Sequence, residues 1–544
     1  MESVKNIGFE FYGEGLSQPF RSLVTLCFQD MAEWEKWSLK EEFPHLRELS
    51  IRNCPMLLEK LPNHFPSLGK VVIERCQKLV VSISSFPELC QLQIEELTGV
   101  VRRSKIDFIS LNLSSLSTIS EFMSPVEGLL LEGLTHVEDL AFKNCEELTP
   151  LWSNDVGLLQ PLPYLRVLRF HNCPKLVYLA AEEANEQPLS NLPSTLREIH
   201  ISDCNSLESL PKAVMYNNTC LVHIGIYECK SLKYVAIGKL PPTLKRLEIW
   251  SCENMLMLVD EDDTISTCSS NSSLLKYLCI FHCPSLKSLI PSGKLPTTLK
   301  YLRINFCSKL ESIANRLHHN SSLEKIVILD CKNLESLPMG IHTLSHLDTI
   351  HILSCPALVS IPDGGLLPAN LRKLRIDDMA LPKCIHTITS LQNLQIWSRP
   401  SVVSSFPEQG FPANLTSLEI RDCNIIEDLL EWGLHRLTFL RHLEISGGCP
   451  NLESFPEKLL PASLTSLTIQ HFHNLKYLSS FQNLTSLEKL YIVNCVNLTS
   501  FPEDGLPPSL QRLRIYKCPR LKQSCKKDKG REWSKIAHIP CIEK

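Results

Sequence analysis

Apolar residues recur along the chain in one short pattern. From Leu323 to Pro338 the sequence reads LEKIVILDCKNLESLP. Apolar residues stand at the first, fourth and sixth positions and a cysteine at the ninth, with leucines three and six residues after the cysteine. The motif L-x-x-L-x-I-x-x-C returns as LRELSIRNC from Leu46, LGKVVIERC from Leu68, VEDLAFKNC from Val137 and LRVLRFHNC from Leu165. It continues as LREIHISDC from Leu196, LVHIGIYEC from Leu221, LKRLEIWSC from Leu244, LKYLCIFHC from Leu275 and LKYLRINFC from Leu299. LDTIHILSC, LTSLEIRDC, LEKLYIVNC and LQRLRIYKC follow from Leu347, Leu415, Leu487 and Leu510. Copies without the cysteine begin at Leu23, Leu89, Leu371, Leu391 and Leu464. At Leu440 the cysteine, Cys449, arrives one residue late, and a degraded copy fits at Leu113. This makes about 21 repeats, mostly 20–25 residues apart, with insertions around Leu165 and before Leu196 and Leu275.

The fourth and sixth residues alternate with polar ones, so they face one side of a strand about five residues long. A single repeat cannot bury that side. Stacked repeats bury a continuous row, and their strands then pair in parallel. The leucines after the cysteine, such as Leu334 and Leu337, complete the coil interior. The return segments (LPPTL, LPTTL, LPASL, LPPSL) are short and rich in proline, which breaks helix interiors, so they are expected to be irregular or extended and not helical. The spacing predicts a repeat solenoid of α/β type that is mostly β, with few or no long helices. Strands about 4.7 Å apart, with bulkier returns opposite, bend the stack into a horseshoe with a parallel concave sheet, on the order of 100 Å along the sheet. The expected division is a partial first repeat and insertion over 1–22, a solenoid over 23–524 and a cap over 525–544. In the first segment Val4 and Ile7 match the two leucine slots of a coil's back half, so a front half is missing and the start looks cut.

Of the 23 cysteines, 15 occupy the ninth slot, counting Cys449. There the chain leaves the sheet, and its backbone polar groups need partners inside the core. A small buried thiol with a weak S–H donor suits the place. Cys204, Cys229, Cys252, Cys283, Cys307, Cys331 and Cys355 form the clearest run of this ladder. A zinc site needs ligands converging on one point, whereas these side chains run in a line. Disulfides between neighbouring coils are within reach at a step of about 4.7 Å, but the side chains lie side by side and the count is odd.

The 544 residues carry a net charge of -4, which gives no general attraction to nucleic acid. No apolar run of membrane-spanning length and no export signal stands out, so a reducing, cytoplasmic or nucleocytoplasmic setting is expected. Six or so N-x-S/T sequons are a counter-signal for secretion, but several recur only because the repeat itself reads N-L-T. No H-E-x-x-H, G-x-S-x-G or C-x-x-C occurs, the histidines are scattered, and neither enzyme activity nor a metal site is expected. Asp260-Glu261-Asp262-Asp263 and the serine-rich run after it read as a surface loop.

The phrasing EFPHLRELSIRNCPML, CPSLKSL and LPPSLQRLRIYKCPRL, with the tail GREWSKIAHIPCIEK, is more specific than the repeat alone. It resembles the leucine-rich-repeat domain of plant nucleotide-binding disease-resistance receptors, the coiled-coil subclass most closely, over essentially the whole chain. The coiled coil and nucleotide-binding switch domain of that family are missing here, and no G-x-x-x-x-G-K-[ST] loop is present. The resemblance implies a non-catalytic module that recognises a pathogen effector or a guarded host protein. It also implies a basic repeat surface that holds the acidic switch domain at rest. ADP or ATP would bind that missing domain and not this chain. An alternative is a stand-alone interaction scaffold, such as a ubiquitin-ligase substrate receptor or a decoy.

In such a solenoid the strand face is the expected binding surface. The seventh position of successive repeats gives Tyr227, Trp250, Phe281 and Trp397, and the third gives Tyr277 and Tyr301. Tyr227, Trp250, Tyr277, Phe281 and Tyr301, with Arg303 and Phe306 near, are expected to form an apolar protein-binding patch. The second position is basic at Arg166, Arg197, Lys245, Lys276 and Lys300, a stripe along one edge. In the tail, Trp533, Ile536 and Ile539 are expected to pack on the last coil, and the N-terminal edge is expected to expose an apolar end.

Overall fold

The structure is a computed structural model. It describes most of the chain. The longer segments outside the description are 13–19, 39–42, 59–64, 80–90, 96–109, 115–137, 145–151, 158–163, 177–192, 211–218, 261–273, 291–294, 398–408, 422–428, 448–451 and 456–459, with shorter gaps between them. The acidic loop from Glu261 onward lies outside the described residues.

Two units, Met1–Leu286 and Lys287–Lys544, each form a parallel ladder of leucine-rich rungs. The first runs through eleven strands from Thr25–Gln29 to Tyr277–Phe281, each pairing in parallel with the next in sequence. The second runs through eleven more, from Tyr301–Asn305 to Cys541–Glu543. Every rung but the last is five residues long and covers the third to seventh positions of its repeat, with one correction: the strand Ser110–Ser114 sets Leu113 opposite Ile94 and Phe142 at the sixth position, so the degraded copy begins five residues earlier than expected. Register is constant. Ile199 pairs with Ile224 and Ile224 with Leu247, so the fourth positions stack, while Ile201, Ile226 and Ile249 stack at the sixth. All six are completely buried. Burying each such side chain contributes roughly 1.5–3 kcal/mol relative to exposure, so the core is a sum of repeated contributions.

The corners follow from the spacing. In C-x-x-L the leucine N–H donates to the cysteine carbonyl, as from Leu207 to Cys204 at 3.2 Å and from Leu232 to Cys229 at 3.3 Å. In P-x-x-L the same bond runs from Leu244 to Pro241 and from Leu299 to Pro296, both at 3.1 Å. A proline or a cysteine therefore opens each turn and a leucine closes it into the core. The return segments are not uniformly free of helix. Ile341–Thr343, Ile385–Thr387 and Leu434–Arg436 make single 3-10 turns where the proline phrase is missing. A six-residue α-helix, Pro519–Ser524, follows Cys518.

The residue before the ninth slot adopts a left-handed backbone in rung after rung, with φ between 50° and 62° at Asn53, Asn172, Asp203, Ser251, Asp330 and His471 among others. Its N–H crosses to the seventh residue of the following repeat, as from Asp203 to the Tyr227 carbonyl at 3.0 Å and from Glu228 to the Trp250 carbonyl at 2.7 Å. Asn and Asp tolerate this conformation best among residues with a Cβ, which accounts for the frequent N-C and D-C pairs.

The seven cysteines from Cys204 to Cys355 are all buried. Each thiol points to the carbonyl of the residue two before it, at 3.4–3.7 Å. Cys331 also reaches the Ile304 carbonyl of the preceding rung at 3.8 Å. The 18 described cysteines are free thiols.

Both ends of the sequence join the stacking pattern. Asn6–Ile7 pairs in parallel with Lys36–Trp37, the same back-of-coil pairing that Ala236–Ile237 makes with Val259–Asp260. Ile7 is buried beside an aromatic cluster in which Phe28, Trp34 and Trp37 lie within 6 Å of one another. Val24, at the first rung, is 50% exposed. At the other end, Cys541–Glu543 adds a parallel strand to Arg512–Tyr516, so the tail is a further rung as well as a cap. Ile536 and Ile539 are buried and Trp533 is half-buried, with Lys544 Nζ 4.8 Å from its ring centre. The buried Glu532 accepts from the Phe501 N–H at 2.9 Å and pairs with Lys535 at 3.1 Å.

Candidate binding surface

Odd-numbered positions of each rung face away from the leucine core, so cross-strand register decides which side chains meet. In the first unit Tyr227 pairs with Trp250 and Trp250 with Phe281. The Tyr227 and Trp250 ring centres are 6.2 Å apart and those of Trp250 and Phe281 are 5.1 Å apart. Trp250 is 40% exposed, while Tyr227, Tyr277 and Phe281 are half-buried. The run is thus one projecting indole held between two partly covered rings.

A polar layer supports it. The Tyr227 hydroxyl donates to Glu248 Oε2 at 2.9 Å, and Arg246 Nε donates to Glu248 Oε1 at 3.0 Å. The Arg246 guanidinium also lies 4.3 Å from the Tyr277 ring centre. Burial, then the bond to Glu248, pushes the Tyr227 phenol up to about 12, so the ring stays neutral. Gly225 makes this possible. A Cβ there would stand 2.8 Å from the Tyr227 ring and 3.0 Å from His200 Nδ1.

The rungs beside Tyr227 carry residues that the sequence alone left scattered. Glu198 pairs with His223 across the ladder, and His200 follows Glu198 on the same face. His200 Nε2 is 3.3 Å from Glu198 Oε2, and His223 Nδ1 is 3.9 Å from the same oxygen. The two imidazoles meet edge to face at 4.8 Å. Burial, then the neighbouring His200, lowers the pKa of His223. Two of the histidines that read as scattered in the sequence thus share one face with a carboxylate. The signal was present in LREIHISDC and LVHIGIYEC, once the two are set in register and their third and fifth positions compared.

The second unit holds the other expected residues. Tyr301 is half-buried, with Lys325 Nζ 5.5 Å from its ring centre. Arg303 is half-buried, and its guanidinium lies 3.0 Å from the Asn305 amide oxygen in the orientation that satisfies both groups. Asn305 itself is 1% exposed, so a seventh-position side chain is not always open to solvent. Phe306 is 43% exposed and has φ 56°, unusual for a bulky side chain. Trp397 is half-buried between two guanidinium groups, Arg375 at 4.0 Å and Arg421 at 5.0 Å from its ring centre. It belongs to a cation–π stack within the sheet and is not an open anchor. An open cleft of about 740 Å³ runs past Lys300, Tyr301, Lys325, Asp348 and Arg372.

The five basic second-position residues are all exposed. In the first unit their backbones follow one another rung by rung, Arg197 N–H to the Arg166 carbonyl at 2.8 Å and Lys276 N–H to the Lys245 carbonyl at 2.9 Å. Val222 interrupts the row between Arg197 and Lys245. Arg166 pairs with Glu138 at 3.2 Å, and Lys300 of the second unit pairs with Glu324 at 2.6 Å. Among the described residues, Arg197, Lys245 and Lys276 make no ion pair. Among them also, no helix is long and apolar enough to cross a membrane.

No protein-family model matches the chain. It is similar to a protein of Arabidopsis thaliana named as a disease resistance protein, 28% identical over 335 residues, covering 46% of this chain and 23% of that one. A second Arabidopsis thaliana protein, named as a disease resistance RPP13-like protein, is 26% identical over 223 residues, covering 39% of this chain and 16% of that one. The alignments thus span less than a quarter of the length of these curated relatives. Among solved structures, the chain is similar to TLR13 in its complex with ssRNA13, with a TM-score of 0.44, 15% identity, and 95% of this chain and 80% of that one covered. It is also similar to YopM from Yersinia enterocolitica, with a TM-score of 0.29, 17% identity, and 91% and 92% covered. The relatives in sequence are plant disease-resistance proteins, and the repeats are leucine-rich repeats.

Proposed function

We propose that this chain is the protein-recognition region of a plant immune receptor, and that the strand face of its first unit docks a pathogen effector or a guarded host protein. One observation carries the reading. Tyr227, Trp250 and Phe281 stack in register on successive rungs, and the Glu248 network fixes them from below with Trp250 projecting. A rigid, partly exposed aromatic loses little side-chain entropy on binding, which is why such residues dominate protein interfaces. The relatives named for disease resistance supply the biological setting. The exposed Arg197, Lys245 and Lys276 offer an edge for an acidic surface, such as a nucleotide-binding switch domain outside this sequence. On this reading the nucleotide belongs to that domain, the chain is cytoplasmic and it performs no catalysis.

The test is a binding screen of plant-pathogen effectors and host proteins against the full chain, repeated with Trp250→Ala and Phe281→Ala. Truncating a central aromatic anchor costs about 2–4 kcal/mol, roughly 30- to 1000-fold in affinity. Loss of that size with an unchanged melting temperature supports the reading. A partner whose affinity is unchanged in both variants places recognition elsewhere.

A further inference from the structure

We propose that Glu198, His200 and His223 form a binding site for a divalent transition metal ion, best suited to Zn²⁺, on the strand face of the first unit. The three side chains come from two neighbouring rungs, and one ligand atom from each lies within 4.8 Å of the others. The donors are Glu198 Oε2, His200 Nε2 and His223 Nδ1, with His200 at 3.3 Å and His223 at 3.9 Å from the carboxylate oxygen. Ligands held about 2.0–2.2 Å from a tetrahedral zinc stand roughly 3.3–3.5 Å from each other. The Glu198–His200 pair already has that separation. The Glu198–His223 pair at 3.9 Å and the two imidazole nitrogens, within 4.8 Å of each other, draw together as the partly exposed side chains turn onto the ion.

Several features mark a prepared site and not a chance meeting of polar residues. His223 Nε2 is buried and makes no hydrogen bond, yet Glu248 Oε2 stands 3.8 Å from it. A histidine bound to metal through Nδ1 turns its Nε2–H to a carboxylate, and this outer partner fixes the tautomer and strengthens the ligand. Glu248 is itself held by Tyr227 and Arg246 and so cannot swing away. Gly225, between the histidine rung and Glu248, leaves the His200 ring room to lie across the sheet. Three protein ligands leave a fourth tetrahedral position open toward the outer face, as in zinc sites that take water or an incoming donor. The inference stands apart from the docking reading, because it requires no protein partner.

The experiment uses the full chain, kept reduced, stripped with chelator and desalted, then titrated with Zn²⁺ alone and with Co²⁺ alone. The expected result is one saturable equivalent, a Co²⁺ visible spectrum without a thiolate charge-transfer band, and a melting temperature raised by Zn²⁺. Glu198→Gln and His200→Asn, both at partly exposed positions, should keep the fold and lose the metal-dependent rise. Glu248→Gln should weaken Zn²⁺ by about 10- to 100-fold while leaving one equivalent bound. The proposal is overturned by absence of saturable binding, by a thiolate band showing that cysteines hold the metal, or by an equal Zn²⁺ response in Glu198→Gln and His200→Asn.

Discussion

A thiol in the ninth slot does two things at once. It fills its place in the core, and it offers a weak donor to the carbonyl where the strand ends. The environment acts on its chemistry. The bond with Cys307, then the bond with Cys355 in the opposing direction, then burial, leave the Cys331 thiol pushed up to about 12. Burial pushes Cys229 up as well. Thiolate is the reactive form, so these cysteines should be inert in the folded chain. Brief alkylation with iodoacetamide under native conditions, mapped by mass spectrometry, should label the exposed Cys27 and leave Cys204, Cys229, Cys252, Cys283, Cys307, Cys331 and Cys355 unmodified until denaturant is added. Native labelling of the ladder at a rate similar to Cys27 would refute its buried structural role. The leucine and cysteine slots were legible in the sequence because they repeat. The eighth-position left-handed turn was legible too, in its Asn and Asp preference, but only as a backbone requirement. The exposure of seventh-position side chains was not legible. Asn305 is 1% exposed and Trp250 is 40% exposed at the same slot, because neighbouring side chains decide how much of each is covered.

Each coil is one rung, two turns and a return, and it touches mainly its neighbours, so damage at an end should stay local. The C-terminal cap tests this. Ile536 is completely buried under the last rungs, and shortening such a residue costs about 2–5 kcal/mol. In Ile536→Ala, amide exchange should accelerate in Arg512–Tyr516 and Cys541–Glu543 and remain unchanged in His223–Tyr227. Acceleration spread evenly over both units would show that the rungs do not behave as a one-dimensional stack. Strand positions were readable from two-residue alternation, and the cap from Trp533, Ile536 and Ile539. The tail's pairing as a further rung was not readable. Cys541–Glu543 lacks the leucine pattern, and backbone bonds to Arg512–Tyr516 set its conformation. The 3-10 turns at Ile341–Thr343 and Ile385–Thr387 escaped for a related reason, since the proline phrase that marks a return is missing there.

For the molecule as a whole, function rests on what successive rungs bring together across the outward face. Residues 23–31 apart in sequence become neighbours one strand away, so the Tyr227–Trp250–Phe281 stack and the Glu198–His200–His223 cluster are products of register. The aromatic run could be read by listing one slot through consecutive repeats. The histidine cluster required two slots read together, and its supporting Glu248 required a third rung. The central claim is that the first unit's strand face, centred on Trp250, is where a partner docks. The most direct measurement is a hydrogen-exchange footprint of the full chain with a binding protein from the screen. Slowed exchange in the peptides carrying Arg246–Trp250 and Tyr277–Phe281, with the return segments unchanged, is the predicted result. Protection confined to return segments such as 284–290, with those strands unaffected, would contradict it.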